Sequence, residues 1–364
     1  MVKIGIIGLG VHGRSVLANG ILNGHVPNAE LAAVCDIDST KLAWVKEKHH
    51  AIKTFESPEE LLGCGDVEAV MIATPHYEHP ILAMQALDAN LHVLMEKPAG
   101  VFTKNVRELN EKAAKSDRVF AIMYNQRTSP MYRKMRDMVL SGELGALKRF
   151  SIIITDWYRP QAYYDSGGWR ATWKGEGGGV LINQCPHNLD LWQWICGMPK
   201  RITAFTHEGK WHNIEVEDDV TAYAEYENGA TGTFVTSTGD CPGTNRFEVL
   251  GDLGRLVCEK GKLVHTKLDV SEREFNKTTK GMFSSPKAET AVLECPGDYP
   301  QHNGVMVDFV KAILGTGSLV ARGEEGINGL TLSNAIHLSG WLRKTIELPL
   351  DEDLFLAELK KRWR

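Results

Sequence analysis

Lys3-Ile4-Gly5-Ile6-Ile7-Gly8-Leu9-Gly10-Val11-His12-Gly13 opens the 364-residue chain and decides how its first third is read. A short apolar run ends in Gly8-x-Gly10-x-x-Gly13, and a helical pattern follows from Val11 to about Leu22. That is the order of a buried strand, a tight turn and a helix whose N-terminus faces a pyrophosphate. Gly8 permits the turn, Gly10 lets the backbone approach the phosphates, and Gly13 lets the helix pack against the strand.

Working outward, the pattern alternates to about residue 125. Apolar runs at Val2–Gly8, Leu31–Cys35, Val67–Ala73, Leu91–Met95 and Val119–Tyr124 read as buried parallel strands. Helical segments near 11–23, 39–49, 57–62, 79–89 and 103–116 separate them. Ser57, Asp38 or Ser39, and Thr103 are the expected caps, with Pro58 and Pro80 at helix starts. The expectation is α/β: a doubly wound Rossmann sheet over residues 1–125. The second strand ends at Asp36, about 20 residues past the glycines, where a carboxylate accepts from ribose hydroxyls and repels a 2′-phosphate. NAD is therefore the expected cofactor, in preference to NADP. The alternative for Asp36 is a helix cap.

Ligands of open α/β sheets bind beyond the carboxyl ends of the strands. Ala73-Thr74-Pro75-His76 and Glu96-Lys97-Pro98 stand at two such ends. Lys97 beside a nicotinamide would donate to a substrate hydroxyl, with Glu96 orienting it; the alternative is a surface ion pair. The expected cofactor-binding residues are Gly8, Gly10, Val11, His12, Gly13, Asp36, Ala73, Thr74, Pro75, His76, Glu96, Lys97 and Asn125. No residues read as metal ligands.

Composition narrows the class. With 43% hydrophobic and 24% charged residues and a net charge of −5, the chain reads as globular and not as a nucleic-acid binder. The basic run Lys360-Lys361-Arg362, with Arg364, suits a solvated last helical turn. Seven cysteines without a CxxC pair, and no signal-peptide or membrane-span pattern, lead to the expectation of a cytoplasmic protein with no membrane partner.

Past residue 125 the character changes, and residues 126–364 are expected to form a second, α+β domain on an open, largely antiparallel sheet. Alternation over 219–226 and 230–237 brackets Glu227-Asn228-Gly229, a hairpin signal, and 247–251 with 255–259 reads as another pair. Helices near 186–196, 302–315 and 326–347 are expected to cover one face and leave the other for a second subunit, giving a homo-oligomer, dimer or tetramer. Two stretches carry chemistry. Tyr158, Tyr163, Trp169 and Arg170 lie in a polar, aromatic-rich segment that suits a sugar-like ligand or, alternatively, core packing. Together with Asn125 and Arg127 they are the candidate substrate residues. The second stretch, Gly177-Gly178-Gly179 through Asp190, holds Asn183 and His187 four residues apart, on one side of a helix if it begins early enough. His187 is a candidate general base, or else a capping histidine.

Taken together, Gly8-Leu-Gly-Val-His-Gly13, Ala73-Thr74-Pro75, Glu96-Lys97-Pro98 and Gly177-Gly-Gly-Val-Leu-Ile-Asn-Gln-Cys-Pro-His-Asn-Leu-Asp190 resemble the glucose–fructose oxidoreductase, inositol dehydrogenase and MocA family over essentially the whole chain. The resemblance implies a Rossmann domain followed by an open-sheet α/β domain. It further implies that Lys97 and His187 act at a substrate hydroxyl, the substrate being a sugar, sugar derivative or cyclitol. Family members often carry an aspartate four residues before the histidine; here that position is Asn183, which can hold a hydroxyl but cannot take a proton. His187 is then expected to act with Lys97 while Asn183 positions the substrate. The resemblance leaves two alternatives: redox-neutral glycoside cleavage on retained NAD, and a non-catalytic NAD-responsive binding protein.

Overall fold

The computed structural model describes residues 1–363; Arg364, the end of the basic run, lies outside the described residues. The chain forms two compact units, 1–128 with 299–330, and 129–298 with 331–364. The segment 299–330 belongs to the first unit, a return that a two-block division at 125/126 does not contain.

The first unit contains β1 (Val2–Ile7), a π-helical segment Gly13–Ala18 running into α1 (Asn19–Leu22), β2 (Ala29–Cys35), α2 (Ser39–Lys48), β3 (Lys53–Phe55), α3 (Pro58–Gly63), β4 (Ala69–Ile72), α4 (Glu78–Asp88), β5 (His92–Met95), α5 (Thr103–Ala113) and β6 (Phe120–Ile122). Its six strands are all parallel, in the order β3-β2-β1-β4-β5-β6, the doubly wound arrangement expected. The order reverses between β1 and β4, which opens a crevice at their carboxyl ends. Ser57 caps α3 by accepting from the Glu60 N–H, and Asp38 caps α2 by accepting from Thr40. Thr103 does not cap; it is the first residue of α5, after Phe102. Strand β3 was not anticipated, because three residues at a sheet edge carry too little alternation to be read.

The second unit holds α6 (Pro130–Leu140), β7 (Leu147–Ile154), α7 (Gln161–Tyr164), α8 (Pro186–Cys196), β8 (Arg201–Glu208), β9 (Glu217–Glu225), β10 (Thr231–Ser237), β11 (Asn245–Gly251), β12 (Gly254–Glu259), β13 (Lys262–Leu268), α9 (Glu272–Thr278) and β14 (Ala288–Leu293). The chain passes through α10 (Gln301–Ile313) in the first unit and α11 (Gly326–Leu342), which begins there, before β15 (Ile346–Glu347) and α12 (Glu352–Lys360) of the second. Nine strands form one sheet in the order β14-β13-β12-β11-β7-β10-β9-β8-β15, antiparallel except where β10 runs parallel to β7. The expected hairpin of β9 and β10 turns at Gly229, whose φ of +82° demands glycine. Helix α8 docks through Trp192, which stacks on Phe234, packs on Phe150 and donates to the Tyr226 hydroxyl at 2.7 Å. At the C-terminus Arg362 lies 4.0 Å above the Trp341 ring and pairs with Glu358, so it is packed where a purely solvated turn was expected.

Helix α10 departs from expectation. Its Val305, Met306, Phe309 and Val310 are buried in the core of the first unit beside Leu17 and Ile21, not on the nine-stranded sheet. An apolar helical face names no partner, so sequence periodicity did not reveal which unit it joins. Among the described residues no helix is long and apolar enough to cross a membrane.

Candidate active site

In the first unit the glycine-rich turn is built as expected. Gly8 has φ +96°, and a Cβ there would stand 2.6 Å from the Ala73 carbonyl oxygen. A Cβ on Gly13 would be driven into the Gly8 carbonyl oxygen. Gly10, Val11 and His12 face solvent at the strand-end crevice. Close approach of backbone at Gly8 and Gly13, with the exposed residues Gly10 to His12 between, is what a diphosphate cradle requires. The following turns are π-helical and not α-helical as expected, a local widening often found at functional sites.

Asp36 is tied into the same cradle. Its carboxylate accepts from the Leu9 N–H at 2.7 Å and from the Asp38 N–H at 2.9 Å, with Lys41 Nζ at 3.3 Å from both oxygens. It does not cap α2, since Asp38 does. Lys41 was not foreseen as its partner; it is the third residue of α2.

Beyond β4 and β5 the two motif segments are clamped together by a histidine that the sequence did not single out. His79 Nδ1 lies 2.7 Å from the Pro98 carbonyl oxygen and Nε2 lies 2.8 Å from that of Thr74. Lys97–Pro98 is a cis peptide bond. Lys97 is half-buried, and Glu96 accepts from its backbone N–H at 3.2 Å. Burial alone would push the Glu96 carboxyl up, but His12, Lys97 and His302 bring it down to about 2, so it is a carboxylate. His76 is buried, its ring 6.0 Å from that of His79.

The His79 clamp has a pH consequence. Burial pushes its imidazole below the ordinary histidine value, outweighing the two carbonyl contacts. The unfolded chain then binds the extra proton first, so stability is lost as pH falls through the unfolded value of about 6.5. Acidification from pH 7 to 5.5 is expected to lower the unfolding free energy, by at most about 1.4 kcal/mol per pH unit from this group. Urea unfolding at several pH values checks this against His79→Asn; an unchanged slope in the variant would remove His79 as its source.

Asn125 and Arg127 also lie in the first unit. Asn125 is buried, its Nδ2 3.4 Å from His302 Nδ1. Arg127 is 1% exposed, paired with Glu325 and 3.4 Å from the Val320 carbonyl, with its guanidinium over Tyr124. It is a strut of the first unit, because a buried paired guanidinium is costly to strip of its partner.

In the second unit the glycine triplet is held by a buried carboxylate. Glu217 accepts from the Gly179 N–H at 2.9 Å and the Leu181 N–H at 3.0 Å, and stands 3.0 Å from His337 Nε2. His187 is the second residue of α8, buried, and makes no side-chain cap; Cys185 occupies the cap position. Asn183 precedes α8, so the shared helical face with His187 does not form. Its amide nitrogen instead donates to Glu176. Glu176, which sequence reading missed, also accepts from the Ala171 N–H at 2.7 Å and lies 3.7 Å from Arg170. Burial pushes its carboxyl up despite those three contacts. A carboxylate at position 183 would meet a like charge here; the amide meets a partner.

Tyr163, Trp169 and Arg170 come together. Arg170 donates to the Tyr163 hydroxyl at 3.0 Å and lies over both the Tyr163 and Trp169 rings, with Gln184 Nε2 3.4 Å from the same hydroxyl. Trp169 is 37% exposed, which offers an aromatic face to a ligand. Tyr158 is half-exposed, its carbonyl accepting from Arg159.

Comparison with known proteins adds to this geometry. Residues 2–124 match the model of an oxidoreductase family with an NAD-binding Rossmann fold, and residues 132–257 match the GFO/IDH/MocA C-terminal domain. The chain is 24% identical to 1,5-anhydro-D-fructose reductase of Ensifer adhaerens over 90% of its own length and 94% of that protein. It is 29% identical to an uncharacterized oxidoreductase, YdgJ, of Escherichia coli, over 56% of each. Among solved structures, the WlbA dehydrogenase of Chromobacterium violaceum, in complex with NADH and UDP-GlcNAcA, superposes with a TM-score of 0.81 at 25% identity and 96% coverage of both chains.

Proposed function

The chain belongs to the GFO/IDH/MocA family of NAD-binding oxidoreductases, and from that premise we propose that it oxidises or reduces a ring hydroxyl or ketone of a sugar, sugar derivative or cyclitol with NAD(H). The observation that carries this reading is Lys97, half-buried at the end of β5 on a backbone held by the Glu96 carboxylate and the His79 clamp. The anhydro-sugar named for the reductase and the nucleotide sugar in the dehydrogenase complex support the substrate class.

The chain's residues fit the dinucleotide: there is no room for a side chain at Gly13, the Gly10–His12 backbone is open, and Asp36 is an ordered carboxylate. When bound, the nicotinamide supplies the hydride acceptor. His187 takes the hydroxyl proton, the general-base role that an imidazole side chain suits. Lys97 donates to the oxygen that is left and stabilises its developing charge. Asn183, fixed by Glu176, positions the substrate, and the Tyr163–Trp169–Arg170 group gives stacking and hydroxyl donors.

A panel of polyols, sugars and glycosides incubated with NAD tests the reading, with nicotinamide absorbance and product analysis read together. Net NADH formation with a matching keto product is expected. Cleavage of an aryl glycoside without net NADH would replace the dehydrogenase by the redox-neutral route, and tight NAD binding with no turnover on any member would favour the binding-protein alternative.

We also infer NAD over NADP from Asp36. Its carboxylate is poised for ribose hydroxyls, although Lys41 beside it gives a foothold for a phosphate once the acid is gone. Asp36→Ser is expected to lower the NAD/NADP preference by about 10-fold or more, the effect of roughly 1.4 kcal/mol. Fluorescence titration of NADH and NADPH reads it, and an unchanged ratio would take Asp36 out of cofactor choice.

A further inference from the structure

We propose that His12, Glu96 and His302 form a binding site for a divalent transition-metal ion of the zinc class. One ligand atom of each residue lies within 4.8 Å of the other two. Two imidazoles and a carboxylate are a donor set that suits zinc, cobalt and nickel, whereas magnesium and calcium take all-oxygen shells. Three protein ligands leave a fourth position open for water or another donor.

Each ligand carries a feature that a bare cluster of polar residues lacks. Glu96 is 6% exposed and anchored, one oxygen accepting from the Lys97 N–H. Its other oxygen, Oε1, is buried without a hydrogen-bond partner among the described residues and lies 3.5 Å from His12 Nδ1. Beyond that loose contact the buried oxygen has no hydrogen bond, which is costly, and a metal ion between the two groups is one way to complete it. His302 lies with its ring 5.2 Å from that of His12. The Asn125 amide stands 3.4 Å from His302 Nδ1, and Asn125 Oδ1 is itself buried without a partner. Turning that amide over places Oδ1 on an Nδ1–H, which satisfies the oxygen and leaves Nε2 with its lone pair for the ion. This is the outer-shell arrangement that orients metal-bound histidines.

The site needs little movement to close. Bonds of about 2.1 Å at tetrahedral angles put ligand atoms about 3.4 Å apart, so the widest pair must draw in by at most about 1.4 Å. The His12 side chain is 45% exposed and can turn toward the anchored Glu96. His302 also lines a cleft of about 390 Å³ with Ser15, Asn19 and Gln301. The three ligands lie near the start of the chain, in its first third and near its end. Spacing in the sequence therefore carries no metal signature, and none was expected from it. His12 and Glu96 are also expected cofactor-binding residues, so the ion would share the strand-end crevice with the dinucleotide, and the titration below is made without added NAD.

The test uses the full-length protein, stripped with a chelator and titrated with cobalt(II) chloride. Expected are visible ligand-field bands of a low-coordinate cobalt site, saturation at one equivalent per chain and displacement by zinc. His302→Ala and His12→Ala should each weaken cobalt binding at least 10-fold, with circular dichroism confirming the fold. His12 lies at an exposed helix start, so its variant remains informative if loss of His302 disturbs α10. Featureless cobalt spectra in the wild-type protein, or binding of unchanged strength in a folded His12→Ala variant, would overturn the proposal.

Discussion

Lys97→Ala and His187→Ala are each expected to lower kcat by about 10²–10⁴-fold on the true substrate, the range seen when a positioned acid, base or charge stabiliser is removed. NADH binding should survive in both, because the cradle of Gly8–Gly13 and Asp36 is left intact. The two variants should differ in pH behaviour. Without His187 the limb of the rate profile that reports the base should disappear. Without Lys97 that limb should remain at a lower rate. Steady-state kinetics over pH 5.5–9 with fluorescence titration of NADH separates the cases. Near-normal turnover in either variant would strip that residue of its role.

Gly13→Val is expected to abolish measurable dinucleotide binding. A side chain at Gly13 collides with the carbonyl of Gly8, and Gly8 cannot retreat, because its own Cβ position faces the Ala73 carbonyl 2.6 Å away. The turn and the first helical turns must part, and the N–H groups that would meet the phosphates part with them. Gly10→Ala is the natural control. No atom lies within 4 Å of a Cβ at Gly10, so the free protein should tolerate it, and any loss there reports contact with the ligand. Thermal unfolding distinguishes lost binding from a lost fold. If Gly13→Val bound NADH as the parent does, the cradle would not be where the dinucleotide sits.

How much of this was legible in the sequence follows from the reach of each signal. Strands β1, β2, β4, β5 and β6 are buried on both faces and read as apolar runs, and the caps at Ser57 and Asp38 announce their helices within four residues. These are local signals. Gly8, Gly13, Asp36, Glu96 and Lys97 could be placed because a parallel sheet brings all its strand ends to one edge. What remained hidden depends on contacts distant in sequence or on geometry that has no residue signature. The π-helical turns after Gly13, the return of α10 to the first unit and the burial of Arg127 on Glu325 are of this kind. The Asn183–Glu176 pair was missed for a different reason. Seven residues separate the two, but the irregular chain between them has no period that would say where either side chain points. His79 was passed over as part of a helix start, although its ring stands between carbonyls of the two motif segments, with one nitrogen close to each.

Hydride transfer itself is the claim on which the account stands, and isotopic labelling measures it most directly. A turned-over polyol or sugar carrying deuterium on the ring carbon that bears the reacting hydroxyl is mixed with NAD and the enzyme. NADH is then analysed by mass spectrometry and proton NMR. The account predicts one deuterium at nicotinamide C4, on a single face, with a keto product in equal amount. NADH free of deuterium alongside a consumed substrate, or a consumed substrate with no NADH and no keto intermediate, would contradict it.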